Sequence, residues 1–367
     1  MGLAQGNRWT RSLALLAPAA LAAVSALATP APPGALAAAP LPARECLPAA
    51  TAAAGPAGAA WYRLDPVLDP GGTLAGRQLT AGLGSARWTA TLPPESFASG
   101  PVAGRVLAGD DDGQRSRLRL LDAARGCWTA LGTESAVIRS AVMTADGTLV
   151  YEHRVARATR QDLGVWRRDL SRRGAAASRV LPGLAADAAA GPTYSTTLLA
   201  GDDGRLVVSS CGERSCRTRV LDLSSGQTSA VGGTGPAVGV WGGGVVALAP
   251  CDGLPCPLER VDLASGATSR LAESSGVAVL VPGLADTVAL ASGTGIGVMR
   301  LGADGPPALV PGADGLAPLR LGSTADAGVE APRGRVAVAP GGRMDDPSAV
   351  RFLDPATSRL SSQEVIP

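Results

Sequence analysis

Four of the six cysteines stand in two Cys-x4-Cys pairs, Cys211 with Cys216 and Cys251 with Cys256. Thiols at this spacing can close a short hairpin as a disulfide or offer thiolates to a metal ion. The two segments overlay at a shift of 40 residues: Cys211-Gly-Glu-Arg-Ser-Cys216 leads into Val220-Leu-Asp222-Leu-Ser-Ser-Gly226, and Cys251-Asp-Gly-Leu-Pro-Cys256 leads into Val261-Asp262-Leu-Ala-Ser-Gly266. An even cysteine count with paired spacing favours disulfides in an oxidising compartment, which leaves Cys46 with Cys127 by elimination. The metal reading is the weaker one, because the only histidine is His153 and four thiolates would have to converge from adjacent units.

Other side chains with chemical potential are sparse. A Ser-His-Asp or metal mechanism would have to pass through His153, and no Gly-x-Ser-x-Gly elbow or second histidine accompanies it. Asp110, Asp111 and Asp112, and again Asp202 and Asp203, cluster carboxylates of the kind Ca2+ prefers, but each run precedes glycine and reads equally as a turn. No cofactor is expected, and Ca2+ is the one to test. Arginine crowds one stretch, at Arg154, Arg157, Arg160, Arg167, Arg168, Arg172 and Arg173; gathered on one surface, these guanidiniums would suit phosphate, an acidic glycan or an acidic protein. A solvated edge that discourages strand pairing would use the same residues.

The N-terminus reads as a leader. Arg8 and Arg11 precede an apolar run from Leu13 to Ala28 that ends in Ala26-Leu27-Ala28, the charge, core and small-residue cleavage pattern of a secretory signal peptide over residues 1–28. Retention as an anchor is the alternative; after cleavage no membrane span remains. Residues 29–58, rich in Ala and Pro, read as a linker, and residues 59–367 as one domain. The chain has 33 basic and 31 acidic side chains, so removing Arg8 and Arg11 with the leader leaves 31 of each. That balance argues against a nucleic-acid or anionic-membrane binder. All the basic residues are arginine, which also excludes lysine Schiff-base chemistry.

The elements that would position these groups are strands. Gly and Pro, 48 and 29 in all, leave little room for helices. Hairpins with Asp-Gly or Gly-Gly turns recur at Val142–Tyr151 and Leu198–Val208, and weaker ones at Val240–Val246, Val279–Leu290 and Ala331–Val338. An apolar-Asp-apolar strand signature recurs at Asp65, Asp122, Asp169, Asp222, Asp262 and Asp354. Spacing a little under 50 residues per unit suits four-stranded propeller blades. The expectation is therefore an all-β chain forming a single β-propeller, with six blades and seven as the alternative. The N-terminal strand near Tyr62–Leu79 is expected to add the outermost strand to the last blade and so close the ring.

Ala145-Asp146-Gly147-Thr-Leu-Val and Gly201-Asp202-Asp203-Gly204-Arg-Leu-Val-Val resemble the Asp-Gly hairpins of TolB-like and WD-repeat-like bacterial propellers, and Val-Leu-Asp222-Leu resembles their next strand. This chain lacks the Ser-Pro before Asp-Gly and the Trp-Asp dipeptide of those families. The resemblance implies the architecture and leaves activity open. The expected function is non-catalytic: a secreted, cell-surface or periplasmic monomer acting as a scaffold for a protein or surface ligand. A propeller hydrolase or lyase using channel carboxylates, and a structural envelope protein, are the rival readings.

Overall fold

The computed structural model describes residues 45–49, 58–84, 86–172, 176–184, 195–201, 204–213, 215–251, 253–323 and 325–361. The described strands form seven antiparallel four-stranded sheets. Seven apolar clusters join successive sheets in a cycle. Tyr62 and Leu79 pack with Val106 and Leu121, Leu107 with Ile138 and Val150, Tyr151 and Val165 with Leu198 and Leu206. Val207 then packs with Val245, Val246 with Val288, Ala289 with Val338, and Ala337 with Trp61. The last cluster returns to the first sheet, so the sheets are the blades of a closed seven-bladed propeller.

Blades 2 to 6 are simple meanders, Phe97–Glu134, Val137–Leu181, Ser195–Thr234, Ala237–Ser274 and Ala278–Leu309. Each alternates side chains between its two neighbours, which is why their strands are buried on both faces. Turns between first and second strands, and between third and fourth, lie on one face of the ring, here the turn face. Second-to-third hairpins and inter-blade connections lie on the other.

The blade count corrects the six-blade expectation in favour of seven. Residues Ala60–Leu68, Leu74–Leu83 and Ala86–Leu92 are three strands of a blade of their own rather than an outermost strand for the last blade. Their first turn is Asp69-Pro70-Gly71-Gly72, with no Asp-Gly step. The Asp69 carboxylate instead accepts the amides of Gly71 and Thr73 at 2.9 and 2.8 Å to turn the first hairpin. The missing innermost strand is Ala327–Val329, which pairs Trp61 with Val329 and Arg63 with Ala327. Blade 7 is complete without help, Leu316–Pro318, Val336–Pro340, Arg351–Asp354 and Arg359–Leu360. The first blade is thus closed by an insertion between the first two strands of the last one. Gly328 suits this position because a Cβ there would lie 2.3 Å from the Gly100 carbonyl oxygen of blade 2.

The repeated aspartate signature has a local cause. Asp222 Oδ1 accepts the amides of Ser224 and Ser225 at 3.0 and 2.8 Å, and Asp262 Oδ1 those of Ala264 and Ser265 at 3.1 and 2.9 Å. Gly226 and Gly266, both at φ 72°, then donate back to the aspartate carbonyls. At Asp122, Asp169, Asp222, Asp262 and Asp354 the signature therefore marks the end of a third strand, and at Asp222 and Asp262 the turn combines an Asx-type bond with a left-handed glycine. Asp65 departs from this, lying within the second strand of blade 1 opposite Gln78.

Three disulfides are formed, Cys46–Cys127, Cys211–Cys216 and Cys251–Cys256. Cys46 lies in the interval read as linker, yet residues 45–49 strap the outer edge of blade 2. Leu47 N–H donates to Gly126 O and Trp128 N–H to Glu45 O, each at 2.8 Å, and Ala49 bridges to Trp88 of blade 1.

Two outcomes test this architecture. Gly328→Val should cost about 1–3 kcal/mol by forcing blades 1 and 2 apart, read by urea unfolding; unchanged stability would exclude the closure described. Cys46→Ser with Cys127→Ser opens a loop with a separation of 81 residues and should lose up to about 4 kcal/mol, whereas opening the five-residue Cys211–Cys216 loop should lose about 2 kcal/mol.

Candidate binding site at the mouth of the ring

The innermost strands Leu316–Pro318 and Ala327–Val329 are each antiparallel to the second strand of their own blade, so both run towards the turn face. The chain between them must therefore cross back through the ring. It does so by way of Ser323, whose N–H donates to Leu198 O at 3.1 Å and whose Oγ accepts the Leu198 amide at 2.8 Å. Leu198 lies on the innermost strand of blade 4, opposite the junction of blades 7 and 1. The bore of the propeller is thus spanned by its own closing segment. The buried Tyr62 hydroxyl reaches Ala325 O at 2.9 Å. Burial, with the Asp326 charge adding to it, pushes this phenol far above its ordinary range, so it remains a neutral donor. Beyond the closing strand, the Glu330 carboxylate accepts the amides of Ala103 and Gly104 in blade 2 at 2.8 and 2.9 Å.

The residues singled out by sequence fall in different places. His153 is buried against blade 4 with Nε2 3.0 Å from Asp162 Oδ1, and its Nδ1 has no partner. A nucleophile would have to sit at that second nitrogen, and no hydroxyl does. Burial would raise the Asp162 carboxyl, but the bond and charge of His153 and the amides of Leu184 and Gly164 outweigh it and hold the group below the usual carboxylate range. Asp162 thereby anchors the connection that leads to blade 4.

The acidic run of blade 2 is occupied by arginine. Asp110 binds Arg117 at 3.0 Å and also Arg119, which lies 4.7 Å over the Trp128 ring. Asp111 forms a two-bonded pair with Arg157 at 2.8 and 2.9 Å. Asp112 accepts the amides of Gln114 and Arg115. Among the described residues no group of three or more potential ligands is placed to hold a metal. Asp202 and Asp203 lie outside the described residues.

The arginine stretch does not form one surface. Arg154 and Arg168 are buried between blades 2 and 3, where both bind Glu134 and the fully buried Glu152 at 2.7–3.2 Å. Arg154 also stacks 4.5 Å from the Trp166 ring. A guanidinium can satisfy two carboxylates in one plane, which makes such burial tolerable. Arg160, Arg167 and Arg172 are exposed, and Arg173 lies outside the described residues.

Arginines that sequence reasoning passed over stand at the turn-face mouth instead. Val279 of blade 6, Leu319, Val329 and Val336 line a small, shallow recess that opens to solvent and has room for about one water molecule. Arg320 and Arg335 also line it, and no acidic residue does. Arg333 lies beside it, packed flat over Gly283. None of these three exposed guanidiniums has a hydrogen bond or ion pair in the described structure, in contrast to Arg154, Arg157 and Arg168. The only sequence signal was Arg333-Gly-Arg335 within an interval, 319–335, too long for a hairpin turn.

The fold is a seven-bladed β-propeller. Similar solved structures include TolB from Acinetobacter baumannii, at 14% identity and TM-score 0.40 over 66% of this chain and 61% of that one. The propeller domain of the Trilobed protease from Pyrococcus furiosus, described as having an open velcro topology, is 11% identical with TM-score 0.45, covering 70% of this chain and 80% of that one. Two prolyl endopeptidases are represented at 14% identity and TM-score 0.49, over 84% of this chain and 48% of theirs. The chain thus spans about three fifths of the TolB structure and about half of the endopeptidase. No family model and no curated protein matches the chain.

The Asp111–Arg157 pair generates a pH dependence. Hydrogen bonding to Arg157, against a smaller desolvation effect, lowers the Asp111 carboxyl from 3.8 to about 2. A depressed folded value adds stability above pH 4 that disappears as pH falls through 2. Arg157→Gln should therefore lower Tm at pH 7, and the difference from the wild type should shrink between pH 5 and pH 2; a difference constant with pH would rule this out.

Proposed function

We propose that the chain is an exported, non-catalytic β-propeller that binds an anionic ligand or partner at the turn-face mouth. The observation that carries this reading is the mouth itself: Arg320 and Arg335 line a shallow apolar recess and Arg333 lies beside it, all three exposed and without acidic partners, on a bore that the closing segment already spans. Fields from unpaired cations at a recess attract anions and orient them. Export is supported by the three disulfides, which persist in oxidising compartments, together with the leader-like Arg8, Arg11 and Leu13–Ala28. That leader lies outside the described residues.

The test is fluorescence anisotropy with a labelled acidic peptide on the disulfide-bonded protein. Saturable, salt-sensitive binding is expected, and Arg320→Gln with Arg333→Gln and Arg335→Gln should weaken it at least about tenfold, the sum of three modest ionic contacts. Arg160→Gln with Arg172→Gln should leave it unchanged. Equal binding by wild type and the mouth variant would remove the reading, and turnover of ester, peptide or glycoside substrates by the wild type would favour the enzyme instead.

A further inference from the structure

We infer that the turn-face mouth docks the acidic surface of a protein partner, whose carboxylates meet Arg320, Arg333 and Arg335 while an apolar side chain of the partner covers Leu321. This rests on the anion-binding reading above and deepens it by naming the class of partner.

Shape argues against a small ligand. The recess at the mouth holds about one water molecule, far short of a pocket that encloses a small molecule. What the mouth offers is a surface. Leu321 is 46% exposed and lines the recess together with Arg320 and Arg335, and Pro332, next to Arg333, is exposed as well. Arginines around an aliphatic centre suit a protein–protein contact, in which the apolar side chains are covered and the guanidiniums pair with carboxylates.

Charge argues against an extended polyanion. Asp146, Asp222 and Asp262 stand in turns of the same face, and hydrogen bonds led by those of Thr144, Ser224 and Ser265 hold their carboxyls below the usual range, so all three stay ionised. A nucleic acid or an anionic bilayer would lie across these carboxylates to reach three guanidiniums, and with 33 basic against 31 acidic side chains no general excess of positive charge assists it. An acidic patch on a protein meets the arginines alone. The backbone that carries them is already fixed: Leu319 N–H donates to Ala337 O at 2.9 Å, Ser323 N–H to Leu198 O at 3.1 Å and Gly334 N–H to Pro282 O at 2.7 Å. The mouth therefore needs little ordering to receive a preformed surface.

The experiment uses the full, oxidised chain and a labelled, lactam-stapled helical peptide that presents a leucine among glutamates. Its comparators are the same helix with serine in place of that leucine, citrate, a single-stranded oligonucleotide and phosphatidylglycerol vesicles. The leucine helix should bind saturably, and Arg320→Gln with Arg333→Gln and Arg335→Gln should weaken it at least about tenfold. Leu321→Ser, an exposed change, should weaken it severalfold while urea unfolding stays unaltered, and the serine helix should lose as much on the wild type. If citrate binds as tightly as the helix through the same arginines, or if Leu321→Ser and the serine helix change nothing, the mouth takes anions generally, and this inference falls while the broader reading stands. Tighter arginine-dependent binding of the oligonucleotide or the vesicles makes the partner a polyanion and overturns it as well. If no probe distinguishes wild type from the triple arginine variant, both readings fail.

Discussion

The pairing of Ala327–Val329 with Trp61–Arg63 is the contact on which the rest of the ring depends. Without it the first blade would present a bare strand edge at the centre of the molecule, where unpaired backbone groups cannot reach water freely. Supplying that strand from inside blade 7 has two structural consequences. The chain must return across the bore, which brings Ser323 to Leu198, and it must leave again towards Val336, which carries Arg333 and Arg335 to the turn face. Closure, plug and mouth are one continuous stretch.

The distribution of charge follows a different logic on the two sides of the ring. Between blades 2 and 3, carboxylates and guanidiniums are buried together, and each arginine there is matched by Glu134, Glu152, Asp110 or Asp111. Removing one partner would strand a charge away from water, so this region is stiff in composition as well as shape. Around the closing stretch the carboxylates have other duties: Glu330 binds two amides of blade 2, Asp346 caps the short turn at Pro347, and Asp354 holds a strand turn. The neighbouring arginines are left without counter-charges. Near neutrality of the whole chain hides this local imbalance.

What the amino-acid order made legible was whatever is repeated and local. Val142–Tyr151 and Leu198–Val208 are hairpins in the structure, and Cys211 faces Cys216 across the next hairpin, between the second and third strands of blade 4. Alternation and turn chemistry act within a few residues and leave their mark in those residues. The blade number was not legible, because the innermost strand of blade 1 comes from the far end of the chain and, at three residues, Ala327–Val329 carries almost no pattern. The mouth was hidden for a related reason: Arg320 and Arg335 flank an inserted strand and come to one recess only when Leu316–Pro318 pairs with Val336–Pro340. Conversely, the conspicuous arginines at 154 and 168 are consumed by partners, Glu134 and Glu152, that no local spacing announced.

The insertion of a blade 1 strand into blade 7 also fixes an order of events. As the chain emerges from the ribosome N-terminus first, Trp61–Arg63 are available long before residue 327 exists. Blades 2 to 6 can each complete their own sheets in turn, while blade 1 waits with its inner edge open. The earliest-made blade is therefore finished only after blades 2 to 6, while blade 7 is still being made, and for most of synthesis that edge needs shielding from other chains.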